Sequence, residues 1–227
     1  MATTNSPSSI PRSALLLALG LSAACAVGPK DLVSSREQET SARIAFALET
    51  LNELSGPSDA RAAALIRELR GLTLFAPRDP RLRTALGALA LELGEDNEAA
   101  RELDVALSLE AGNAPATALR TRILLAEGNR QRARRLVETA LWHHPSDPEL
   151  HLSLAQLEHL DGDSTAALAA LDRAGRLGAE PRRILFATGL VFEQAGQVDE
   201  ALDSYERLLE LEPGHAGARS REAGLWP

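Results

Sequence analysis

The chain has 227 residues, of which 44% are hydrophobic and 25% are charged, so it is long enough for one or two globular domains or an array of small repeats. Its single cysteine excludes an intramolecular disulfide and a thiolate zinc site. The net charge of −8 opposes a phosphate backbone and only 3% of residues are aromatic, which disfavours nucleic-acid binding. Helix-favouring alanine, leucine, arginine and glutamate dominate, and this composition predicts an all-α protein.

The N-terminal segment contains an apolar run from Ser13 to Ala24. This run is too short to span a bilayer core of roughly 30 Å, but it suits the hydrophobic region of a secretory signal. Arg12 precedes the run, and small residues at 22–24 lie directly before Cys25. This order resembles a bacterial lipoprotein signal, which implies that residues 1–24 are a signal peptide and that Cys25 is lipidated and becomes the first residue of the mature chain.

Three other interpretations of this segment remain open. It is an ordinary secretory signal if cleavage follows Ala26, because the "ACA" sequence also satisfies the small-x-small rule. It is otherwise an uncleaved anchor, or the apolar start of a cytoplasmic protein.

The residues after Cys25 bear on the location of the protein. Ala26 stands where the inner-membrane retention signal of lipoproteins is an aspartate, so the resemblance implies an outer-membrane lipoprotein that faces the periplasm. The alternative is a soluble secreted or periplasmic protein. Residues 25–40 contain Gly28, Pro29, Ser34 and Ser35 and are interpreted as a tether.

The rest of the chain repeats with a period of 34 residues. Glycine recurs at this spacing, and an alanine follows each glycine after five residues. The glycines are Gly94, Gly128, Gly162 and Gly196, and the alanines are Ala99, Ala133, Ala167 and Ala201. Proline recurs in a third column of the same phase, at Pro77, Pro145 and Pro213.

The last unit resembles the tetratricopeptide repeat. The stretch "LVFEQAGQVDEALDSYERLLELEPGHA", together with the preceding Gly189, has the family's glycine, alanine, tyrosine and proline positions at the right spacing. The resemblance implies an all-α α-solenoid of tandem helix-turn-helix hairpins in a right-handed superhelix. Complete repeats would span residues 80–113, 114–147, 148–181 and 182–215, with a degenerate first repeat at 41–79 and a C-terminal capping helix at 216–227.

Elementary sterics explain the repeated positions. Glycine at the turn permits a positive φ after the first helix ends, and small residues at the alanine column let two helices approach closely. Proline at the end of a unit stops the second helix. Thr121, Glu158 and Gly175 depart from the family's small or apolar residues, so we expect the middle repeats to be looser.

No arrangement of residues predicts catalysis, a metal or a cofactor. No two of the five histidines have the i, i+4 spacing with a carboxylate between them that a helical zinc hydrolase uses. The stretch "DGDSTAALAALD" has part of a calcium loop but lacks its glycine position and closing glutamate. It is better explained as a turn between helices, with Asp163 or Ser164 as the N-cap.

Two charged stretches and one tryptophan are candidates for binding surfaces. The stretch from Arg130 to Leu136 is basic, and the stretch from Asp199 to Glu212 is acidic. Solvated helix faces are the favoured explanation, and opposite poles that meet a partner, lipid headgroups or a second copy are the alternative. Trp142 is expected to pack under the next repeat rather than to stand exposed.

In the tetratricopeptide family the first helices line a concave groove, and the resemblance carries this role to ten residues. They are Arg81, Thr84, Ala88, Arg122, Leu152, Gln156, His159, Phe186, Leu190 and Glu193. Their mixture of apolar and polar side chains suits an extended or helical peptide with apolar anchors.

The sequence therefore predicts a non-catalytic scaffold or adaptor anchored by a lipid in the bacterial envelope. By resemblance, it would bind other proteins during assembly of a pilus, a secretion channel, a polysaccharide exporter or the outer membrane. The alternatives are a soluble cytoplasmic accessory or chaperone-like subunit, and an adaptor that regulates an envelope protease.

Overall fold

The structure is a computed structural model that describes residues 29–52 and 60–225. Eleven helices and no strand occur within these residues. In chain order the helices are α1 (Pro29–Asn52), α2 (Ala60–Leu72), α3 (Pro80–Glu92), α4 (Asp96–Leu109), α5 (Ala114–Ala126), α6 (Arg130–His143), α7 (Pro148–Asp161), α8 (Ser164–Arg176), α9 (Pro181–Gln194), α10 (Val198–Leu211) and α11 (Ala216–Leu225). Each helix packs mainly on its neighbours in the chain, which confirms the predicted all-α solenoid.

The helix starts follow local capping chemistry. The carboxylate of Asp79 accepts a hydrogen bond from the backbone N–H of Arg81 at the start of α3. The side chain of Asp147 does the same for two backbone N–H groups at the start of α7, and a proline occupies the first turn of both helices. The Asp163 carboxylate caps α8, so the turn interpretation of "DGDSTAALAALD" is confirmed with Asp163 as the N-cap.

The four turn glycines have the backbone conformation that their spacing predicts. Gly94, Gly128, Gly162 and Gly196 have φ values of +75°, +75°, +83° and +73°. This left-handed region is strained for residues with a Cβ, so the turns require glycine. Each turn reverses the chain between the two helices of one hairpin.

The core lies between the two helices of each hairpin and between adjacent hairpins. The alanine column is completely buried, with 0% exposure at Ala99, Ala133, Ala167 and Ala201. At Gly87 an added Cβ would lie only 2.6 Å from Cγ of Leu103. These small residues set the close approach of the helices, since interaxial distance depends on the side chains at the contact.

The expected loosening of the middle repeats occurs in only one of them. The hairpin of α5 and α6, which contains Thr121, makes fewer close backbone contacts than the hairpins on either side. The hairpin of α7 and α8 contains Glu158 and Gly175, yet it packs as closely as that of α3 and α4. Glu158 is tolerated because its carboxylate accepts a hydrogen bond from Arg134 at 2.7 Å.

Helices also cover the two ends of the array. Ile44 of α1 and Leu69 of α2 are buried against Leu82 of α3. Residues 29–40, interpreted as part of a tether, are helical because α1 already begins at Pro29. At the other end Ala218 of α11 is buried against α10.

Two predicted features lie outside the described residues. They are the signal peptide at 1–24 and the lipidated Cys25.

Candidate functional site

Helices α3, α5, α7 and α9 form one continuous layer, which we call the first-helix layer. Each of them contacts the next, whereas α4, α6, α8 and α10 contact one another little within the described part of the chain. Helices on the inner side of a curved array lie closer together than those on its outer side. The first-helix layer therefore lines the concave side, and we call its surface the groove.

Three of the ten predicted groove residues lie on α3. The guanidinium of Arg81 pairs with the Asp79 carboxylate at 2.7 Å between Nη2 and Oδ2. The Thr84 hydroxyl donates to the carbonyl of Pro80 at 2.9 Å, and Ala88 is half-buried. This end of the groove therefore offers a partner little unused hydrogen-bonding capacity.

The middle of the groove is different. Arg122 on α5 is exposed, and no ion pair among the described residues includes it. Gln156 on α7 occupies the same repeat position and is also exposed. A guanidinium and a carboxamide are thus free to bind a partner at adjacent sites along the groove.

The apolar groove residues differ in exposure. Leu152 is only 9% exposed and packs in the core with Ala155 and Val191, so it offers little surface to a partner. Leu190 is half-buried on α9. Phe186 is half-buried between the rings of Tyr205 and His215, with ring centroids 6.1 Å and 5.0 Å away.

Glu193 is already engaged within the chain. Its carboxylate accepts hydrogen bonds from the Tyr205 hydroxyl at 3.0 Å and from the Arg221 guanidinium at 2.7 Å. Burial, together with the hydrogen bond to Glu193, raises the pKa of the Tyr205 phenol. The predicted groove residue Glu193 therefore links α9, α10 and α11.

His159 lies one repeat before Glu193 at the same position. Its Nδ1 is buried without a hydrogen-bond partner among the described residues. Burial lowers the pKa of the imidazole below its usual value of 6.5, although the negative charge of Glu193 opposes this shift. His159 is therefore a neutral, partly buried groove side chain at pH 7.

A depression of about 470 Å³ at the C-terminal end of the groove was not predicted in full. Phe186 is the only predicted groove residue in its lining, which also includes Arg182, Arg183, Glu212 and His215. The Arg183 guanidinium pairs with the Glu149 carboxylate of the previous repeat at 2.5 Å. Opposite charges at the same position of adjacent repeats, 34 residues apart, were the signal that could have identified this pair.

The basic stretch of α6, from Arg130 to Leu136, is not a surface of unpaired positive charge. The Arg134 guanidinium donates to the carboxylates of Glu158 at 2.7 Å and Asp161 at 2.8 Å, both on α7. Arg130 also reaches Asp161, and Arg132 lies 3.8 Å from Asp104. These contacts neutralise most of the stretch, as the favoured solvated-face explanation allows.

Trp142 does not pack under the next repeat, and that expectation was wrong. Its side chain is 86% exposed at the end of α6. The position is occupied by Ser108 one repeat earlier and by Arg176 one repeat later, both of which are exposed. The repeat register therefore directs this position to solvent whatever its hydrophobicity.

Metal ligation and membrane insertion find no support in the described helices. In residues 29–52 and 60–225 no three His, Cys, Asp or Glu side chains are grouped as metal ligands. His151 is instead buried beside the carbonyl of Pro145, with 2.9 Å between Nε2 and oxygen. No described helix has both the length and the apolar character needed to span a bilayer.

Comparison with known proteins agrees with this architecture. The tetratricopeptide repeat family matches residues 120–181 and 162–216. No curated protein sequence matches the chain significantly.

Solved structures of similar fold come from several bacteria. A tetratricopeptide repeat protein of Thermus thermophilus is 21% identical, with a TM-score of 0.67 over 82% of this chain and 98% of that one. A tetratricopeptide repeat protein of Parabacteroides merdae is 17% identical, with a TM-score of 0.60 over 83% of this chain and 72% of that one. The pilF protein of Pseudomonas aeruginosa is 19% identical, with a TM-score of 0.61 over 82% of each chain. Identities this low show likeness of fold alone.

Proposed function

Since the chain is a tetratricopeptide repeat protein, we propose that it is a non-catalytic scaffold whose groove binds other proteins, held at the bacterial outer membrane by a lipid on Cys25. Its partners would belong to an envelope machine that is being assembled, such as a pilus, a secretion channel, a polysaccharide exporter or the outer membrane itself. The fold supports the scaffold role, and the N-terminal sequence pattern supports the anchor.

One observation carries the groove proposal. Among the described residues, the first-helix layer leaves Arg122 and Gln156 without ion-pair or hydrogen-bond partners, while Leu190 is half-buried on α9 of the same layer. A binding surface for a peptide needs apolar side chains that bury an anchor and polar groups that fix its register. The groove has both, the polar groups on α5 and α7 and the apolar Leu190 on α9, and the guanidinium of Arg122 favours a partner that carries an acidic side chain as well as an apolar anchor.

The anchor proposal depends on the sequence around Cys25. A single acyl chain holds a protein only marginally at a membrane, whereas two or more chains hold it stably. The multiple acyl chains of a bacterial lipoprotein would therefore be sufficient for attachment. Residues 29–40 are helical, so a segment that connects Cys25 to the array would be a semi-rigid spacer over that length.

The groove proposal is tested by affinity capture from the cell envelope after cross-linking. We expect Arg122→Glu combined with Leu190→Ala to lower recovery of the bound proteins at least about tenfold, because it reverses the free charge and removes an anchor. The matched control is Arg67→Glu, which makes the same charge change at an exposed position of α2. Unchanged recovery with the double variant would overturn the groove proposal.

The anchor proposal has a separate test, which is the intact mass of the mature protein. We expect a chain that begins at Cys25 and carries acyl chains, and we expect Cys25→Ser to abolish membrane retention. An unmodified mature chain that starts before or after residue 25 would contradict the anchor without affecting the groove.

A further inference from the structure

Trp142 is a large apolar side chain with nothing packed over most of it. It is 86% exposed near the C-terminal end of α6. Exposed tryptophan is costly in water and is enriched at the centres of protein interfaces, where one ring buries about 150–250 Å². This ring is therefore a candidate anchor, and the question is what accepts it.

The next repeat contains an apolar depression of about 380 Å³ over Gly175. Its lining is mostly aliphatic, with one basic and one acidic side chain at the rim. The lining residues are Gly175, Ala179, Pro181, Ile184, Leu185, Arg207, Glu210 and Leu211.

At the Gly175 position the depression has no side chain, where the other complete repeats have a leucine. The position of Gly175 is occupied by Leu107, Leu141 and Leu209 in the other complete repeats, and all three are half-buried. A Cβ built on Gly175 would meet nothing within 4 Å. The hole is thus a leucine-sized gap in an otherwise regular surface, and it widens into the space between α8, α9 and α10.

The anchor and the hole lie on the same edge of the array. Glu210, at the rim of the depression, occupies the repeat position that Trp142 occupies two repeats earlier. Gly175 itself is directly followed by Arg176, which holds that position in the intervening repeat. One edge therefore presents both features in adjacent repeats.

We propose that two copies of this chain associate about a two-fold axis, with Trp142 of each copy seated in the depression over Gly175 of the other. A patch that carries both an anchor and its hole is self-complementary, so each contact is made twice and the assembly closes at two copies. A head-to-tail filament would instead need the two features on opposite surfaces.

The charges around the two features are complementary. Arg135 and Glu138 precede Trp142 on α6, both are exposed, and neither forms an ion pair with any described residue. The rim of the hole presents Arg207 and Glu210. An acidic and a basic group on each side allow opposite charges to pair when the ring is seated, and such rim pairs fix orientation more than they add affinity.

The expected contact is small. Two tryptophan rings account for about 300–500 Å², against about 1,200–2,000 Å² in a standard stable interface, so the dimer depends on its two anchors. We expect it to dissociate on dilution at roughly micromolar concentration. No groove residue takes part, so the dimer and the groove proposal stand or fall separately.

Sedimentation equilibrium of the full chain in a density-matched detergent tests the proposal over a series of protein concentrations. We expect Trp142→Ala to weaken dimerisation at least about 100-fold, because both anchors are lost together. We expect Gly175→Leu to weaken it as strongly by filling both holes. Since the gap already suits a leucine, this second variant should remain at least as stable as the original chain to thermal unfolding.

The matched control is Phe75→Ala, which removes another exposed aromatic ring, 73% exposed, at a different repeat. It should leave the dimer unchanged. A chain that stays monomeric throughout the series would overturn the proposal. Dimerisation of Gly175→Leu as strong as that of the original chain would also overturn it. So would a weakening by Phe75→Ala equal to that by Trp142→Ala. Either result would indicate general apolar association or an occupant other than a second copy.

Discussion

Single side chains decide how closely the two helices of a hairpin approach. A Cβ on Gly189 would overlap the Tyr205 ring, with 2.7 Å to Cζ, so only glycine fits where α9 crosses α10. Gly87 has the same role against Leu103. At Gly71 and Gly175, by contrast, an added Cβ meets nothing within 4 Å, so glycine is required for packing at some positions and only tolerated at others.

Gly189→Ala should therefore lower the free energy of unfolding by about 1–3 kcal/mol, because the methyl group overpacks the contact with Tyr205. The matched control is Gly71→Ala in α2, where nothing lies within 4 Å of an added Cβ. It should raise the free energy of unfolding by about 0.5–1 kcal/mol through helix propensity. Urea titration measures both, and effects of the same sign would contradict this account.

At the scale of the element, the hairpin of α5 and α6 has an unusually polar interior. The side chain of Arg120 is only 5% exposed, and its Nε donates to the Asp104 carboxylate at 2.9 Å. The hydroxyls of Thr117 and Thr121 are buried with no hydrogen-bond partner among the described residues. Buried groups without partners cost stability, and Thr121 also stands where Gly87 and its counterparts are small, so both effects loosen this hairpin.

Thr121→Ala should tighten the packing of the hairpin of α5 and α6. Removing the unpaired hydroxyl should raise the free energy of unfolding by about 1 kcal/mol and slow amide hydrogen exchange in α5 and α6. The converse change, Ala155→Thr in α7, places a hydroxyl at the same position of the next repeat, where Ala155 is buried. It should accelerate exchange in α7 and α8. If Ala155→Thr left exchange unchanged, the residue at this position would not control hairpin tightness.

At the scale of the whole molecule, ion pairs join neighbouring helices, both within and between repeats. Arg134 of α6 joins two carboxylates of α7, and Arg183 of α9 pairs with Glu149 of α7. Their partly exposed side chains are screened by solvent, so each pair contributes little on its own. Together they place opposite charges side by side where one helix meets another.

These ion pairs predict how the free energy of unfolding depends on pH. The Arg134 guanidinium lowers the pKa of the Asp161 carboxyl below its usual value of 3.8. A carboxyl with a lower pKa in the folded than in the unfolded state stabilises the fold above pH 3.8 and loses this contribution as the pH falls further. Arg134→Met should therefore reduce the fall in the free energy of unfolding between about pH 6 and pH 3, measured by urea titration at each pH.

The control for the acid experiment is Arg207→Met. Arg207 is an exposed residue that pairs only with Asp203 of its own helix, at 3.7 Å, among the described residues. This variant should keep the pH dependence of the original chain. If the free energy of unfolding depended on pH equally in the two variants, the ion pairs between helices would not be responsible for the acid sensitivity.

The repeat positions that line the candidate site were predictable from the sequence. Which of their side chains are free to bind a partner was not. The 34-residue period carried the groove positions along the chain. Which of them remain free depends on contacts from other helices. Glu193 is engaged by Tyr205 and Arg221, and Leu152 packs in the core, whereas no residue in the described part of the chain pairs with Arg122. None of these outcomes is local in sequence.

The amino-acid sequence by itself determined the hairpins, because turn glycines, capping side chains and small-residue columns act through contacts within about one unit of the chain. Only the tertiary structure decided that the basic stretch of α6 is neutralised, that Trp142 points to solvent and that a hole opens over Gly175. These features depend on the distance and rotation between consecutive repeats, which side chains from several helices set together and which the period alone does not specify.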